Sequence, residues 1–437
     1  MTPTMRTLPS QPASVSTAPY WLSDLALPAD PTAELPRHVD FAVIGAGYTG
    51  LCAAHETASA GHSTLVLDAG GIGDGCSGRN GGQAAYSVKP TLDQLTARHG
   101  AQTAMGICRE GFAALENLRD LAGQEKLDFD WRPVGAFYGA HTARQFDSLL
   151  REAEHQTTGL EQRLSVLRRA DQRQEIATDF YHGGLVYHDD AAVHPARLLL
   201  ALLNRARRAG ARVIHRCPVT AMQTVADGFE LQTARGVFHA RRVLIATNGY
   251  TGALSPWQRR RIIPIGSYQI ATEPLGLERV RALIPNGRNV GDTRRVVVYY
   301  RPSPDGQRII FGGRAALSEK NALAVLPRMR AMLAQIFPQL KDVAISHVWV
   351  GTVAFTFDRL MHLGQRDGLF HCMGYCGQGV PMATYFGKRI GQQMLGLKEG
   401  RTALDGLEFE SRPLYSGIPW FLAPSVFVYR CLDRLGL

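Results

Sequence analysis

Residues 41–50 read Phe-Ala-Val-Ile-Gly-Ala-Gly-Tyr-Thr-Gly, an apolar run that changes into the pattern G-x-G-x-x-G. A second apolar run, Leu-Val-Leu at 65–67, ends on Asp68, and the Ala-rich residues 51–60 between the two runs fit a helix. A strand, a glycine turn, a helix and a second strand that ends in a carboxylate form the dinucleotide-binding βαβ unit. The stretch therefore predicts an α/β fold built around such a unit.

Each part of this motif has a chemical purpose. Gly45 allows the tight turn, Gly47 lets the backbone approach a pyrophosphate, and Gly50 lets the helix pack closely on the sheet. The N-terminus of the helix offers free N–H groups and a positive dipole end to the phosphates. Because the carboxylate of Asp68 can accept hydrogen bonds from both hydroxyls of an adenosine ribose, the motif predicts nucleotide binding.

The composition restricts the class and the location of the protein. A chain of 437 residues suggests about two domains, and residues 1 to about 18 read as a disordered leader. No run of about 18 apolar residues predicts a membrane span, and the first residues lack the apolar core of a secretory signal. The seven cysteines are scattered and odd in number, so they do not form a disulfide framework. A reducing, cytoplasmic location is therefore predicted.

The formal net charge of +10 raises the question of a nucleic-acid partner. The arginines are dispersed, however: they end a predicted helix at 205–208, precede a strand at 241–242 and lie in a loop at 259–261. No recognised nucleic-acid module accompanies them. We interpret them as solvated basic faces and expect no nucleic-acid partner.

Two further glycine-rich segments follow the first. Residues 70–83 read Gly-Gly-Ile-Gly-Asp-Gly-Cys-Ser-Gly-Arg-Asn-Gly-Gly-Gln, which is too rich in glycine for a regular helix or strand. Such a loop lets a flat ring system approach the backbone. Residues 371–379 precede a predicted helix and form an anion-binding turn at its N-terminus. Cys372 and Cys376 in this turn have no partners at metal-ligand spacing, so no metal site is predicted.

The predicted elements alternate between two units. Helices are predicted over 91–124, 142–175, 195–209 and 320–336, and strands over 212–214, 219–239, 243–246, 265–272, 296–300 and 308–311. This order predicts a nucleotide-binding domain that a second, sheet-rich domain interrupts twice. The predicted boundaries are a leader over 1–36, the nucleotide-binding domain over 37–125, 183–260 and 347–400, the second domain over 126–182 and 261–346, and a tail over 401–437.

A set of motifs spread along about residues 20–435 resembles a known family. The motifs are GAGYTG at 45–50, SGRNGG at 77–82, IATNGY at 245–250, SYQIATEPL at 267–275, FGGR at 311–314, DRLMHLG at 358–364 and YCGQG at 375–379. Together they resemble the FAD-dependent oxidoreductases of the D-amino-acid oxidase/sarcosine oxidase superfamily, in particular the γ-glutamylputrescine oxidoreductase branch.

The resemblance implies a Rossmann-like FAD-binding domain of the glutathione-reductase type, interrupted by an α+β substrate domain. It places the pyrophosphate of FAD at 45–50, the ribose on Asp68, the adenine near Val219, and the ring near 79–83 and 374–379. The residues that it implies for FAD binding are Gly45, Gly47, Tyr48, Thr49, Gly50, Asp68, Ala69, Ser77, Gly78, Arg79, Asn80, Gly81, Gly82, Gln83, Val219, Thr247, Asn248, Gly249, Gly374, Cys376, Gly377, Gln378, Gly379 and Val380.

Three departures from the family pattern refine this expectation. The stretch 349–353, where sarcosine oxidases carry the cysteine that attaches flavin, has no cysteine here, so FAD is expected to be non-covalent. Relatives that oxidise α-amino acids hold the carboxylate with an Arg or Lys at places that are 351–353 and 380–381 in this chain. Those places have neither residue, which favours an amine, although Arg301 or Arg314 could supply a clamp. Sarcosine oxidases have a lysine that activates oxygen, and Ile310 or Phe311 takes its place in this chain. The electron acceptor is therefore either O2 or another molecule.

The implied reaction is the oxidation of a C–N bond in an amine, an N-substituted amino acid or an acylated polyamine. Hydride passes from the carbon next to a neutral amine to flavin N5, and the imine hydrolyses to an aldehyde and an amine. The amine must lose the proton of an alkylammonium, whose pKa is about 10.4. The candidate catalytic residues on the substrate face are Tyr268, Tyr300, Arg314 and Gln378.

Three other hypotheses remain open from the sequence. A flavoprotein that modifies an RNA base would use the net positive charge. A membrane-peripheral dehydrogenase would use the apolar and aromatic segment 417–430, which is otherwise expected to pack on the FAD domain. An NAD enzyme is disfavoured, because a nicotinamide domain does not need the second and third glycine segments.

Overall fold

The structure is a computed structural model of the chain, and it describes residues 14–29, 34–86, 88–154, 159–314 and 321–435. The strands, in chain order, are β1 His38–Ile44, β2 Thr64–Leu67, β3 Gln83–Ala84, β4 Ala136–Gly139, β5 Leu164–Arg168, β6 Gly183–Tyr187, β7 Ala191–Ala192, β8 Arg212–Ile214, β9 Val219–Val225, β10 Gly228–Thr233, β11 Gly236–Ile245, β12 Ile263–Thr272, β13 Asn289–Asp292, β14 Val298–Pro302, β15 Ile309–Gly313, β16 Ile345–Phe355, β17 His362–Arg366 and β18 Leu369–Met373. The α-helices are α1 Tyr48–Ser59, α2 Leu92–His99, α3 Ala101–Gly123, α4 Ala143–Glu154, α5 Pro195–Arg208, α6 Pro256–Arg259, α7 Leu277–Leu283, α8 Ala322–Ile336, α9 Gly379–Met394 and α10 Leu422–Leu435.

The first sheet contains the predicted βαβ unit. Its strand order is β17-β18-β11-β1-β2-β8, and β1 pairs in parallel with both β2 and β11. Helices α1, α3, α5 and α9 supply much of the core on one face, and the antiparallel strands β9 and β10 extend from β11 on the other. A Cβ atom on Gly50 would lie 1.9 Å from the carbonyl oxygen of Gly45. The third glycine of the motif is therefore needed for close packing, as predicted.

The second sheet is mostly antiparallel and has the order β16-β12-β15-β14-β13-β4-β6-β5. Helix α8 covers one face, where Met329, Leu333 and Ile336 are buried in a core with residues of β12, β14 and β15. Residues at alternate positions of these strands face the opposite way, toward the first domain. This face forms one wall of the site described below, and the fold is the expected mixed α/β arrangement of two sheets.

The second sheet takes more of the chain than the sequence indicated. Strand β16 pairs with β12 from Ile345 to Phe355, and β6 pairs with β4, although the predicted boundaries assign 347–400 and 183–260 to the first domain. Residues 164–168, predicted as helix, form edge strand β5. The predicted helix over 91–124 is two helices, because Gly100 adopts φ +79° between α2 and α3. Sheet membership depends on pairing partners that are distant in sequence, so local periodicity did not reveal it.

Both ends of the described chain pack on the second sheet. The backbone N–H of Ser16 donates to the carbonyl of Ser346 at 2.9 Å, and the side chain of Trp21 is fully buried. Residues 14–18 of the predicted disordered leader therefore have fixed contacts, and residues 1–13 lie outside the described residues. At the other end, α10 buries Leu422 and Val426 against β12 rather than against the FAD domain. Among the described helices, none is long and apolar enough to cross a membrane.

Candidate active site

A cavity of 1740 Å³ lies between the glycine-rich edge of the first sheet and the polar face of the second sheet. It exceeds the roughly 300–1,000 Å³ of an ordinary small-molecule pocket. The three glycine segments and residues of β12, β14 and β16 line it. Its size is therefore sufficient for a dinucleotide together with a second molecule.

The first glycine segment forms a cradle at the N-terminus of α1. The carboxylate of Asp68 accepts hydrogen bonds from the N–H groups of Ala46 at 2.7 Å and Gly70 at 2.9 Å. Ser77 Oγ accepts from the N–H of Tyr48 at 3.1 Å, which fastens the second glycine segment to the same turn. Asp68 thus holds the turn together and also lines the cavity, where a ribose is expected.

The second glycine segment is fastened to the second sheet. The carbonyl of Arg79 accepts hydrogen bonds from Trp349 Nε1 at 3.0 Å and from the side-chain amide of Gln269, and the Arg79 guanidinium donates to the carbonyl of Val350 at 3.1 Å. Asn80 shapes the loop itself, since its Oδ1 accepts from the N–H of Gly82 at 2.9 Å. The loop therefore joins the two domains at the cavity.

The third glycine segment leads into α9. The N–H of Gly374 donates to Asn248 Oδ1 at 2.9 Å, and the N–H of Cys376 donates to the carbonyl of Ala354 at 2.9 Å. Gln378 is the N-cap of α9 and lines the cavity with Gly379. The positive end of this helix therefore faces the cavity.

Two buried polar atoms beside the second glycine segment lack a hydrogen-bond partner among the described residues. They are Arg79 Nε, a donor, and Gln269 Oε1, an acceptor. Buried polar atoms are normally paired, so each indicates a group that the chain itself does not supply. The ring system of a flavin carries both carbonyl acceptors and an N–H donor. The residues present therefore fit FAD, with its phosphates at α1 and its ring at the second glycine segment.

The polar wall of the second sheet contains Tyr299. Its hydroxyl hydrogen-bonds to Ser267 Oγ at 3.0 Å, and burial raises the pKa of the phenol to about 12. A Cβ atom on Gly312 would lie 2.2 Å from the ring, and one on Gly81 would lie 2.7 Å from it. The ring is therefore held between the sheet and the second glycine segment, at the place where the two domains meet.

Two cationic side chains, Lys89 and Arg314, line the same cavity. Arg314 follows β15, and its guanidinium carbon lies 4.7 Å from the centre of the Phe355 ring. Lys89 remains exposed and Arg314 is half-buried. Partial removal from bulk water lowers the pKa of both groups, and the charge of Arg314 lowers that of Lys89 further. The site therefore has a positive end.

Farther along the second sheet, the cavity is lined by Tyr138, Tyr187, Glu152 and Asp190. Burial raises the pKa of the Asp190 carboxyl to about 7 and also raises the pKa of Glu152. Tyr138 and Tyr187 make this part of the cavity aromatic, and its lining carries both carboxyl groups and the arginines Arg151, Arg294 and Arg295.

Most residues expected at the cofactor line the cavity. These are Gly45, Gly47, Tyr48, Thr49, Asp68, Ala69, Ser77, Arg79, Asn80, Gly81, Gln83, Val219, Thr247, Asn248, Gly377, Gln378, Gly379 and Val380. Gly50, Gly78, Gly82, Gly249 and Gly374 lie behind this surface, where a Cβ atom would meet backbone or side-chain atoms at 2.5 Å or less, or at 2.6 Å for Gly249. Cys376 turns its thiol toward Thr356 and lines a small neighbouring cavity.

The candidates for the substrate face divide into two groups. Arg314 and Gln378 line the cavity, whereas Tyr268 and Tyr300 are fully buried in the core under α8. The Tyr300 hydroxyl hydrogen-bonds to that of Tyr181 at 3.0 Å. Because side chains alternate along a strand, the cavity is faced by the neighbours of these tyrosines. Of the two arginines considered as a clamp, Arg301 instead donates to the carbonyls of Gly82 and Val193 at 2.8 Å.

Sequence reasoning missed several lining residues, among them Lys89, Gln269 and Tyr299. Tyr299 and Tyr300 are adjacent, and the choice between them depends on the register of β14 with its neighbours. Lys89 could have been predicted, because it follows the second glycine segment closely in the sequence and a residue there is expected near the cofactor. No local signal distinguishes Gln269 from other strand residues.

A dinucleotide cradle at the end of a βαβ unit, covered by a second sheet with a polar face, defines a protein of the dinucleotide-binding class. A model of the family described as FAD dependent oxidoreductase matches residues 40–393, and the chain belongs to this family, known as DAO. FAD is accordingly its cofactor.

Curated relatives and solved structures agree with this assignment. The chain is 32% identical over 404 residues to the gamma-glutamylputrescine oxidoreductase of Escherichia coli strain K12, which covers 91% of this chain and 93% of the relative. It is 31% identical to a probable oxidoreductase, OrdL, of Rhizobium meliloti, with the same shares covered. The crystal structure of glycine oxidase from Geobacillus kaustophilus superposes with a TM-score of 0.71 at 19% identity and covers 86% of this chain and 99% of that chain.

Proposed function

We propose that this enzyme oxidises the C–N bond at the primary amine of a substrate that resembles γ-glutamylputrescine, with hydrolysis of the resulting imine to an aldehyde and ammonia. The observation that carries the proposal is the polar wall of the second sheet, where Tyr299 and Gln269 face the cavity directly beside the FAD cradle. The 32% identity to the gamma-glutamylputrescine oxidoreductase supports this substrate class. Bound FAD would accept two electrons from the substrate and pass them to O2 or another acceptor.

The protein's contribution is to bind and orient the amine and to exclude water. The Tyr299 hydroxyl is held by Ser267, so it offers a fixed polar atom beside the second glycine segment. Partial removal from water beside the cofactor disfavours a charged alkylammonium, whose pKa is about 10.4 in water, and so favours the neutral amine that the reaction needs. The N-terminus of α9 also borders the cavity, and the positive end of its helix dipole favours negative charge next to Gln378.

The test is an anaerobic visible spectrum of the FAD-loaded enzyme during addition of an amine panel. The panel contains γ-glutamylputrescine, putrescine, glycine and L-proline. We expect the flavin absorption to bleach with γ-glutamylputrescine and much less with glycine or proline, and admission of air then tests O2 as the acceptor. If none of the amines bleaches the bound flavin, the proposed reaction is wrong.

A peripheral contact with membranes is a second proposal, and the exposed apolar residues near the C-terminus favour it. Ile418, Trp420 and Phe427 are 62%, 64% and 69% exposed, and Arg412, which forms an ion pair with Glu410 at 2.8 Å, lies exposed just before this segment. Aromatic and basic residues together suit the surface of an anionic bilayer. In a flotation assay with anionic liposomes, the wild-type enzyme should be found in the liposome fraction. A Trp420→Ser/Phe427→Ser variant should remain in the fraction of unbound protein. Equal behaviour of the two proteins would rule out this contact.

A further inference from the structure

Arg301 lies behind the second glycine segment and not in the cavity. Its side chain is almost completely buried. The Nη1 atom of Arg301 donates hydrogen bonds of 2.8 Å to the backbone carbonyls of Gly82 and Val193. The two residues that flank Gly82 in the chain both line the cavity. The guanidinium therefore contacts the back of a loop whose front faces the place expected for the flavin ring.

The contact between Arg301 and this loop is close. Gly82 adopts φ +66°, and a Cβ atom there would lie 2.8 Å from Nη1 of Arg301 and 2.3 Å from the carbonyl oxygen of Val193. The carbonyl of Gly82 also accepts a hydrogen bond of 2.8 Å from the N–H of Val193. One peptide group of the loop is therefore held by a backbone donor and by a cation together.

The charge of Arg301 is only partly compensated. Its hydrogen bonds described above go to neutral carbonyl groups. The carboxylate that acts on it belongs to Asp130, which forms an ion pair of 2.8 Å with Arg132. Burial lowers the pKa of Arg301 to about 10, so the guanidinium stays protonated at neutral pH. A positive charge thus remains close to the cavity in surroundings of low dielectric constant, where charges interact strongly.

Trp21 covers this charge. It belongs to the 3₁₀-helix that precedes β1, its side chain is fully buried, and the centre of its ring lies 5.7 Å from the guanidinium carbon of Arg301 and 6.5 Å from the ring of Trp349. The next residue, Leu22, packs on the second glycine segment, since a Cβ atom on Gly73 would lie 3.1 Å from its Cδ2. The N-terminal part of the described chain therefore separates Arg301 from water.

We propose that Arg301 is a positioning residue for the cofactor, which holds the carbonyl of Gly82 and, through its buried charge, raises the reduction potential of bound FAD, while Trp21 keeps water away from that charge. Reduction adds negative charge to the flavin ring, so a positive charge nearby stabilises the reduced form more than the oxidised form. This inference goes beyond the proposed amine oxidation, because it concerns the cofactor whichever substrate is oxidised.

The first experiment measures the midpoint potential of bound FAD by anaerobic titration against a redox dye. Arg301→Gln retains a donor for the carbonyl of Gly82 and removes the charge, whereas Arg301→Lys retains the charge. We expect Arg301→Gln to bind reduced FAD about tenfold more weakly relative to oxidised FAD, which lowers the potential of this two-electron couple by about 30 mV. Arg301→Lys should remain close to the wild-type potential.

Arg308 provides the matched control. Its guanidinium carbon lies 5.8 Å from the centre of the Tyr20 ring, and its Nη1 atom donates to the carbonyl of Thr272 at 2.7 Å. Arg308 thus makes the same two kinds of contact as Arg301, but Thr272 belongs to β12 and does not line the cavity. Arg308→Gln should leave the potential unchanged.

The second experiment leaves Arg301 in place and changes its cover. Trp21→Ala admits water beside the guanidinium and should lower the potential, because water screens the charge. Trp21→Phe retains an aromatic ring and should keep the potential near that of wild type. The Kd for FAD and the Tm of the apoprotein are measured for every variant, so that a folding defect is recognised. If Arg301→Gln does not retain FAD, the comparison of Trp21→Ala with wild type decides the outcome.

Two results would overturn the proposal. The first is an equal potential in wild type and in Arg301→Gln, or in wild type and Trp21→Ala where that comparison decides. The second is an equal fall in Arg301→Gln and Arg301→Lys, because the shape of the loop and not the charge would then set the potential. A failure of the proposed amine reaction is distinguishable, since neither titration contains an amine.

Discussion

The indole Nε1 of Trp349 donates a hydrogen bond of 3.0 Å to the backbone carbonyl of Arg79. Trp349 belongs to β16 of the second sheet, and Arg79 belongs to the glycine segment that holds the cofactor in the first domain. The contact is fully buried on the Trp349 side. Two side chains of the second sheet, Trp349 and Gln269, thus fix this carbonyl of the FAD cradle.

Trp349→Phe should therefore weaken FAD binding. Loss of this hydrogen bond removes about 1 kcal/mol, which corresponds to roughly a fivefold increase in the Kd for FAD. Titration of the apoprotein with FAD measures it. Trp420→Phe replaces an exposed indole and is the matched control, with an unchanged Kd. Equal Kd values for wild type and Trp349→Phe would show that the contact does not shape the cradle.

Substitution of the two adjacent tyrosines of β14 should affect different properties of the enzyme, catalysis for one and stability for the other. Tyr299 lines the cavity, so Tyr299→Phe should lower kcat/KM for the amine about fivefold with little change in stability. Tyr300 is buried and hydrogen-bonds to Tyr181, so Tyr300→Phe should lower the free energy of unfolding by about 1 kcal/mol and leave kcat/KM unchanged. Steady-state kinetics and urea denaturation on both variants distinguish the two roles. A larger kinetic effect in Tyr300→Phe would contradict this assignment.

FAD should be released when the enzyme is denatured. Residues 349–353 contain no cysteine, so acid precipitation should leave the flavin in the supernatant. Cys76 deserves its own variant, because it lines the cavity and its thiol donates to the carbonyl of Thr352 at 3.1 Å. Flavin that stays in the pellet would contradict the prediction, and its release in Cys76→Ser would then identify the attachment point.

The stability of the enzyme should depend on pH through Asp190. Burial raises the pKa of this carboxyl to about 7, against about 3.9 in an unfolded chain. The folded state then binds more protons than the unfolded state between about pH 4 and 7, so this contribution to stability is lost as the pH rises through that window. Between pH 5 and 8, the Tm of Asp190→Asn should fall less than that of wild type.

Asp189→Asn is the control for this experiment. Burial alone would raise the pKa of Asp189, but hydrogen bonds and the charge of Arg163 lower it below the ordinary value. The stability that Asp189 contributes is lost only as the pH falls through its lowered pKa. The Tm of Asp189→Asn should therefore fall between pH 5 and 8 much as that of wild type does, because burial, the main cause of the raised pKa of Asp190, is unchanged. A slope in Asp190→Asn that equals the wild-type slope would show that Asp190 does not titrate in this range.

The parts of the site that the sequence predicted are those whose chemistry is local. Gly45, Gly47 and Asp68 belong to one continuous βαβ unit, whose residues must be of these types for the turn to form. The wall of the second sheet was not predictable in the same way. Whether Tyr299 or Tyr300 faces the cavity depends on the register of β14 with β15, which pairs Tyr300 with Phe311 in the core.

Strand β16 connects the cofactor cradle to the positive end of the cavity. Its backbone carbonyls accept hydrogen bonds from Arg79 and Cys376, in the second and third glycine segments, and its last residue, Phe355, lies beneath the guanidinium of Arg314. Suppose that the substrate domain of a relative replaced the one in this chain, but without its β16. The new specificity residues would then be separated from the strand that supports them. A transplant that includes the strand would bring foreign contacts to the FAD cradle. Engineering of new substrates should therefore retain β16 and substitute single residues around it.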